Sequence, residues 1–128
     1  MEKDFDKWNE RKKIVHKRTD VPFFHARELW WCALGVNIGF EQDGSGVEYY
    51  RPILILKGMS RYTCFVLPLT TSVSPHQLRP SVGVVEGKVA RVLLSQMRLI
   101  DARRLIRKIG YLDGKIFREI RKAAKAML

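Results

Sequence analysis

Only two cysteines occur in the 128 residues, Cys32 and Cys64, and both sit inside apolar runs, WWCALG and YTCFVLPL. A reduced thiol in such a run behaves as a small hydrophobe, so the spacing gives no support to a disulfide-stapled scaffold. Histidine is nearly as scarce. His16, His25 and His76 are scattered, with none at helical or turn spacing from a second ligand, so no metal or other cofactor is expected. No apolar run approaches the roughly 18 residues that cross a bilayer, and the opening MEKDFDKWNERKK lacks the apolar stretch of a signal peptide. A soluble, cytoplasmic protein is the expectation. Repeats, low-complexity tracts and an interior linker are missing too, and this length reads as one domain.

Acids are the remaining deficit: 13 Asp plus Glu stand against 24 Lys plus Arg, for a formal charge of +11 and a pI near 10.1. That imbalance is the electrostatic footprint of a polyanionic partner, whether nucleic acid, an anionic surface or an acidic protein. With 46% hydrophobic residues the chain also has the material for a core.

Residues 3–17 place Phe5, Trp8, Lys12 and Val15 at helical spacing, and 1–20 is expected to be an N-terminal amphipathic helix preceding a domain over 21–128. The stretch 27–34, RELWWCAL, has the short aromatic and apolar character of a strand. A glycine-rich, acidic loop follows, GFEQDGSGVEYY. Then RPILILK and RYTCFVLPL read as two strands joined at Gly58, Met59 and Ser60, with Pro52 where a strand opens. The polar stretch 70–80 holds two prolines and reads as a connection, and VGVVEGKVARVLL reads as a hairpin turning at Glu86, Gly87 and Lys88. Asp101 can cap a helical turn over 102–105, and 106–112 can return as an edge strand. From Asp113, the positions Ile116, Ile120, Ala123 or Ala124 and Met127 predict a terminal helix with one buried stripe. Five or six hairpin-connected strands with helices only at the ends describe a small β-rich α+β barrel or half-barrel. A parallel sheet needs helices between strands, and none is visible before residue 101.

Glu28-Leu29-Trp30-Trp31, the G-x-E-Q-x-G of Gly39 to Gly44, Arg51-Pro52, Pro68-Leu69-Thr70-Thr71 and Leu94 to Asp101 with its Q-x-R-x-x-D occur in one order. From about Arg27 to Leu128 the chain resembles toxins of the MazF/PemK (Kid-like) family of type II toxin–antitoxin systems. The resemblance implies an SH3-like antiparallel barrel with a C-terminal helix, and a homodimer that cuts single-stranded RNA at short sequences without a metal. It also implies a cognate acidic antitoxin.

Cleavage of that kind uses the neighbouring 2′-hydroxyl as nucleophile and needs a base, a donor to the pentavalent phosphorus and an acid for the leaving 5′-oxygen. Arginine suits the donor role, being permanently charged with a planar fork that matches two phosphate oxygens. By the resemblance Arg51 holds the scissile phosphate, Thr70 donates a hydroxyl to it with Thr71 alongside, and Arg98 and Asp101 form an acid–base pair. Asp101 has a structural role open to it as well, that of helix cap. Glu41, Gln42 and Gln96 match RNA-orienting positions, and Tyr49 and Tyr50 are expected to stack on unpaired bases. Two departures stand out. Phe40 occupies a position where several members have histidine, and the loop between Gly44 and Arg51 is several residues longer than the common pattern. Two other classes fit the charge: a non-catalytic SH3-like module that binds nucleic acid, and a gyrase-poisoning toxin on the related CcdB-type fold.

Overall fold

A computed structural model describes residues 20–34, 50–71 and 80–128, so the expected N-terminal helix lies outside the described residues. Seven strands are present among them: β1 Glu28–Ala33, β2 Tyr50–Gly58, β3 Thr63–Thr70, β4 Ser81–Val85, β5 Lys88–Val92, β6 Arg98–Asp101 and β7 Leu105–Tyr111. They are followed by the helix α1, Gly114–Ala126. All pairings are antiparallel, in the order β4-β5-β3-β2-β1-β7, with β6 also on β3. This is a curled half-barrel, one strand richer than the sequence suggested. The strand not foreseen is β6, four residues of RLID whose pairing with Cys64 to Val66 has no local signature.

The uninterrupted ILIL of β2 is explained by burial on both faces of the sheet. Ile53 and Ile55 join one apolar cluster with Trp30, Cys32, Cys64, Val66, Ile100, Ala102 and Leu105. Leu54 joins the other, with Leu29, Leu67, Leu69, Val82, Val85 and the helix residues Phe117, Ile120 and Ala124. Side chains alternate across a strand, so a segment covered on both sides must be apolar at every position. Each such fully buried Ile or Leu contributes about 1.5–3 kcal/mol. Pro52 enters β2 one residue before its ladder with β3 begins at Ile53. Two register shifts between β1 and β7 supply the local bend that curls the sheet.

The β4–β5 hairpin is present as anticipated, with a turn one residue tighter than expected, because Lys88 already belongs to β5. Glu86 and Gly87 both have positive φ, 49° and 80°, which matches the right-handed twist of the flanking strands. From this tip Glu86 Oε1 accepts hydrogen bonds from Trp31 Nε1 at 3.1 Å and Arg107 Nη2 at 3.2 Å. The two ends of the sheet path, β4 and β7, thereby meet through a side chain instead of a ladder.

The helix begins where expected. Asp113 Oδ2 accepts from the backbone N–H of Lys115 and Ile116, at 3.1 and 3.2 Å. Its buried stripe differs from the expected one at both ends: Phe117, Ile120 and Ala124 are buried, Ile116 and Ala123 only partly, and Met127 is 41% exposed. The shift arises because Phe117, larger than Ile116, takes the inward position, and the helix has ended before Met127. No helix among the described residues is long and apolar enough to cross a membrane.

Candidate active site

Arg51 and Thr70 come from neighbouring strands and converge on one concavity. The β2–β3 ladder puts Ile53 opposite Pro68, which leaves Arg51 and Thr70 at the same end of the two strands. Arg51 is only 8% exposed and donates from Nη1 to the Leu69 carbonyl at 2.9 Å. That bond fixes the direction of the guanidinium. Thr70 is buried to a similar degree at the last position of β3, where it also pairs with Arg91 of β5.

Arg51, Pro52, Leu69, Thr70, Thr71, Val85 and Ala90 line an open cavity of about 120 Å³. At about 30 Å³ per water this is room for roughly four waters, or a group the size of a phosphate. One side is cationic and hydroxylic and the other is apolar. A charge held between low-dielectric walls acts on an anion more strongly than the same charge in open water. The apolar wall comes from the β4–β5 hairpin. Nothing in the sequence linked Val85 and Ala90 to a site nearly twenty residues upstream, because the link is a tertiary pairing of only two ladder positions, Leu69–Val92 and Thr70–Arg91.

The remaining sequence candidates are spread out. Tyr50 opens β2 opposite Ala33, next to Arg51. Gln96 closes the 3-10 turn Leu94–Gln96, which is tied to β3 by the Leu93 N–H donating to the Pro68 carbonyl at 2.9 Å. Arg98 lies opposite Val66 and Asp101 opposite Thr63. Those positions are four and seven residues from Thr70 along β3, on the order of 13 and 23 Å away at about 3.3 Å per residue. Asp101 is thus not brought into the cavity of its own chain. Its carboxylate caps the short turn Ala102–Arg104, accepting from Arg103 N at 2.8 Å, and it receives Arg103 Nε and Nη2 at 3.0 and 2.9 Å. Hydrogen bonding to Asp101, then its charge, raises the Arg103 pKa. Glu41, Gln42 and Tyr49 lie outside the described residues.

Both cysteines are buried and unbridged, and burial pushes each thiol up to about 12, which makes neither a nucleophile. Beside Cys32, Arg104 donates to the Ala33 carbonyl at 3.0 Å, and its own burial lowers its pKa from the usual arginine range. Among the described residues no group of three or more His, Cys, Asp or Glu side chains is placed to hold a metal ion.

Comparison with known proteins places this fold. The family model for the PemK-like, MazF-like toxin of type II toxin–antitoxin systems matches residues 25–128. No curated protein matches the chain in sequence. Among solved structures, MazF (Form-I) from Deinococcus radiodurans superposes with a TM-score of 0.68 at 21% identity, covering 84% of this chain and 96% of that one. A MazE-MazF complex (Form-I) from the same organism gives 0.62 at 18% identity, with 84% and 96% covered. An endoribonuclease in complex with its cognate antitoxin from a mycobacterial species gives 0.60 at 15%, with 81% and 92% covered. At these identities the structures speak for the fold, while the family model spans most of the chain. The chain belongs to the PemK-like, MazF-like toxin family of type II toxin–antitoxin systems.

Proposed function

We propose that this toxin is an endoribonuclease that cuts single-stranded RNA through the neighbouring 2′-hydroxyl, without a metal, as a homodimer restrained by an acidic antitoxin. The observation that carries the reading is the convergence of the Arg51 guanidinium and the Thr70 hydroxyl on a phosphate-sized cavity. Arg51, anchored by Leu69, donates from its guanidinium to the scissile phosphate. The Thr70 hydroxyl, with Thr71 beside it, donates to a second phosphate oxygen. The Arg51 guanidinium is held by Leu69 before the substrate arrives, so charge growing on the phosphoryl oxygens in the transition state is met there without reorganisation.

Among the described residues that line the cavity, none is a carboxylate or an imidazole. These residues supply binding and charge stabilisation, and the proton acceptor for the 2′-hydroxyl is some other group. Arg98 and Asp101 serve that step only if another chain brings them to the cavity. Glu41, Gln42, Tyr49, Tyr50 and Gln96 are assigned to RNA contacts on the strength of the resemblance. An antitoxin as partner is supported by the similar structures that contain one. The net charge of +11 draws a carboxylate-rich segment by the same long-range field that draws phosphate.

The test is incubation of the purified protein with a long single-stranded RNA in EDTA. Discrete products ending in a 2′,3′-cyclic phosphate and a 5′-hydroxyl are expected, and a substrate with deoxyribose 5′ to the cut should stay intact. RNA that survives while remaining bound would identify a binding module instead. Equal cleavage of the deoxy-substituted strand would rule out attack by the 2′-hydroxyl.

A further inference from the structure

A second concentration of cations, away from the cavity, surrounds an exposed aromatic ring where β1 and α1 begin. Arg27, just before β1, has φ of 80°, a left-handed conformation that a residue with a side chain rarely adopts. Three hydrogen bonds hold it there. Its N–H donates to the Ile55 carbonyl at 2.8 Å, its carbonyl accepts from Leu112 N at 2.9 Å, and its Nε donates to the Leu112 carbonyl at 2.6 Å. The guanidinium is thus fixed beside Tyr111, with Cζ 5.1 Å from the ring centroid, and Lys108 Nζ lies 5.5 Å from the same centroid. Lys108 is shared with Glu28, 3.0 Å away. The Tyr111 ring nevertheless remains 66% exposed.

A Cβ built on Gly114 would lie 3.5 Å from Arg118 Nη1 and 3.7 Å from Arg27 Nη1. The two guanidinium groups are therefore within roughly 7 Å of each other, inside one Debye length. Among the described residues neither forms an ion pair with a carboxylate. Of the acids nearby in sequence, Glu28 is engaged with Lys108 and Trp30, Asp113 with the N–H groups of the first helical turn, and Glu119, next to Arg118, pairs with neither arginine among the described residues. From Arg118 the charge continues along α1. Lys115, Arg118, Arg121, Lys122 and Lys125 are all exposed. At 100° per residue they fall within an arc of about 120°, some 15 Å long, turned away from the buried Phe117, Ile120 and Ala124. Glu119 sits at the edge of that arc.

We propose that Tyr111, Arg27 and Arg118, extended by the α1 cations, form a second binding surface for single-stranded nucleic acid. One base stacks on the open part of the Tyr111 ring, and its flanking phosphates sit between the guanidinium groups. Two converging, unpaired arginines repel each other until an anion lies between them, and the exposed ring selects what carries the anion. Every base has a π-face for it, whereas a plain run of carboxylates, such as polyglutamate, has nothing to stack on it. The surface lies beyond the cavity: Arg27 is five residues before Cys32, the ladder partner of Arg51, or about 17 Å along β1. It therefore engages nucleotides away from the cut. That the strand is RNA rests on the reading above.

The experiment is fluorescence anisotropy with a labelled single-stranded oligodeoxynucleotide of about 15 nucleotides, a length within the usual site sizes of single-strand binders. It needs no cleavage. Tyr111→Ala should weaken binding about 5- to 150-fold, the range for losing one base stack. Arg118→Glu with Lys122→Glu should flatten the salt dependence, by about 0.7 in log–log slope for each phosphate contact removed. All variants must keep the wild-type circular dichroism. An unchanged Kd for Tyr111→Ala, or polyglutamate competing as well as unlabelled oligonucleotide, would overturn the proposal. A protein that binds through Tyr111 yet cuts no RNA would leave this surface standing and remove the nuclease reading. Cleavage with no Tyr111 effect would do the reverse.

Discussion

Replacing Arg51 by lysine keeps the charge at the cavity and removes the fork. In the structure the guanidinium does two jobs at once: Nη1 satisfies the Leu69 carbonyl at 2.9 Å, and Arg51 forms part of the cavity lining. An ammonium on a flexible stem is a point donor that cannot reproduce this rigid two-sided geometry. The variant therefore loses about one hydrogen bond to a charged phosphate, worth about 1.5–3 kcal/mol. At 1.36 kcal/mol per decade, kcat/KM should fall about 10- to 150-fold. The loss should appear mostly in kcat, because charge attraction in the ground state is retained. Stability should change by less than about 1 kcal/mol in a urea titration, since charge and most of the buried stem remain. Initial rates on a short fluorogenic RNA, measured beside the urea curve, separate the two effects. Wild-type kcat/KM in a folded Arg51→Lys protein would refute the assignment of Arg51 to the scissile phosphate. A collapse of stability would show that the Leu69 anchor is the residue's main purpose.

Two further outcomes follow from the geometry. Asp101→Ala should cost about 1 kcal/mol of stability through the lost cap of the Ala102–Arg104 turn. If no second chain brings Asp101 to the cavity, the rate should stay within about threefold of wild type. A loss of several decades with the urea midpoint intact would make Asp101 part of the chemistry. Glu28 is the carboxylate to watch in acid. Burial alone would raise its pKa, but hydrogen bonds from Trp30 Nε1, Lys108 and the His25 N–H, with the Lys108 charge, outweigh burial and lower it below 4.5. A depressed carboxylate contributes stability above its unfolded pKa, and that stability disappears as pH falls through the folded value. Wild type should therefore lose stability below about pH 4.5, and Glu28→Gln should flatten this part of the urea-midpoint profile. Parallel profiles for the two proteins would show that Glu28 carries none of the acid sensitivity.

The parts of this molecule that were legible in the sequence are those governed by neighbours along the chain. The hairpin at Glu86 and Gly87, the Asp101 cap, the start of the terminal helix at Asp113 and the β2–β3 hairpin each depend on a few adjacent residues with strong conformational preferences. Arg51 and Thr70 were legible as candidates because the family motif stands at both places, and the strand register then brought them together. What escaped was settled by distant partners. The four residues of β6 become a strand only because β3 offers them an edge. Val85 and Ala90 become a cavity wall only because β5 pairs with the last two residues of β3. The choice of Phe117 over Ile116 for the inward position depends on the space left by Leu29 and Leu112. The motif R-x-x-D also gave no sense of scale, since its arginine and aspartate follow β3 away from Thr70.

The β4–β5 hairpin behaves mechanically as a cantilever. Its root is the pair of ladder positions Leu69–Val92 and Thr70–Arg91, with the Leu93–Pro68 hydrogen bond just beyond, and its free end rests on Trp31 and Arg107 through Glu86. Thr70 is at once a root position and a donor to the cavity, while Val85 and Ala90, farther out on the arm, form the opposite wall. Because one wall of the cavity is carried on the arm and the other on its root, the space between them is bounded by where the arm lies. The room available to a phosphate is therefore tied to a contact more than fifteen residues along the chain from Thr70, at what Glu86 is holding.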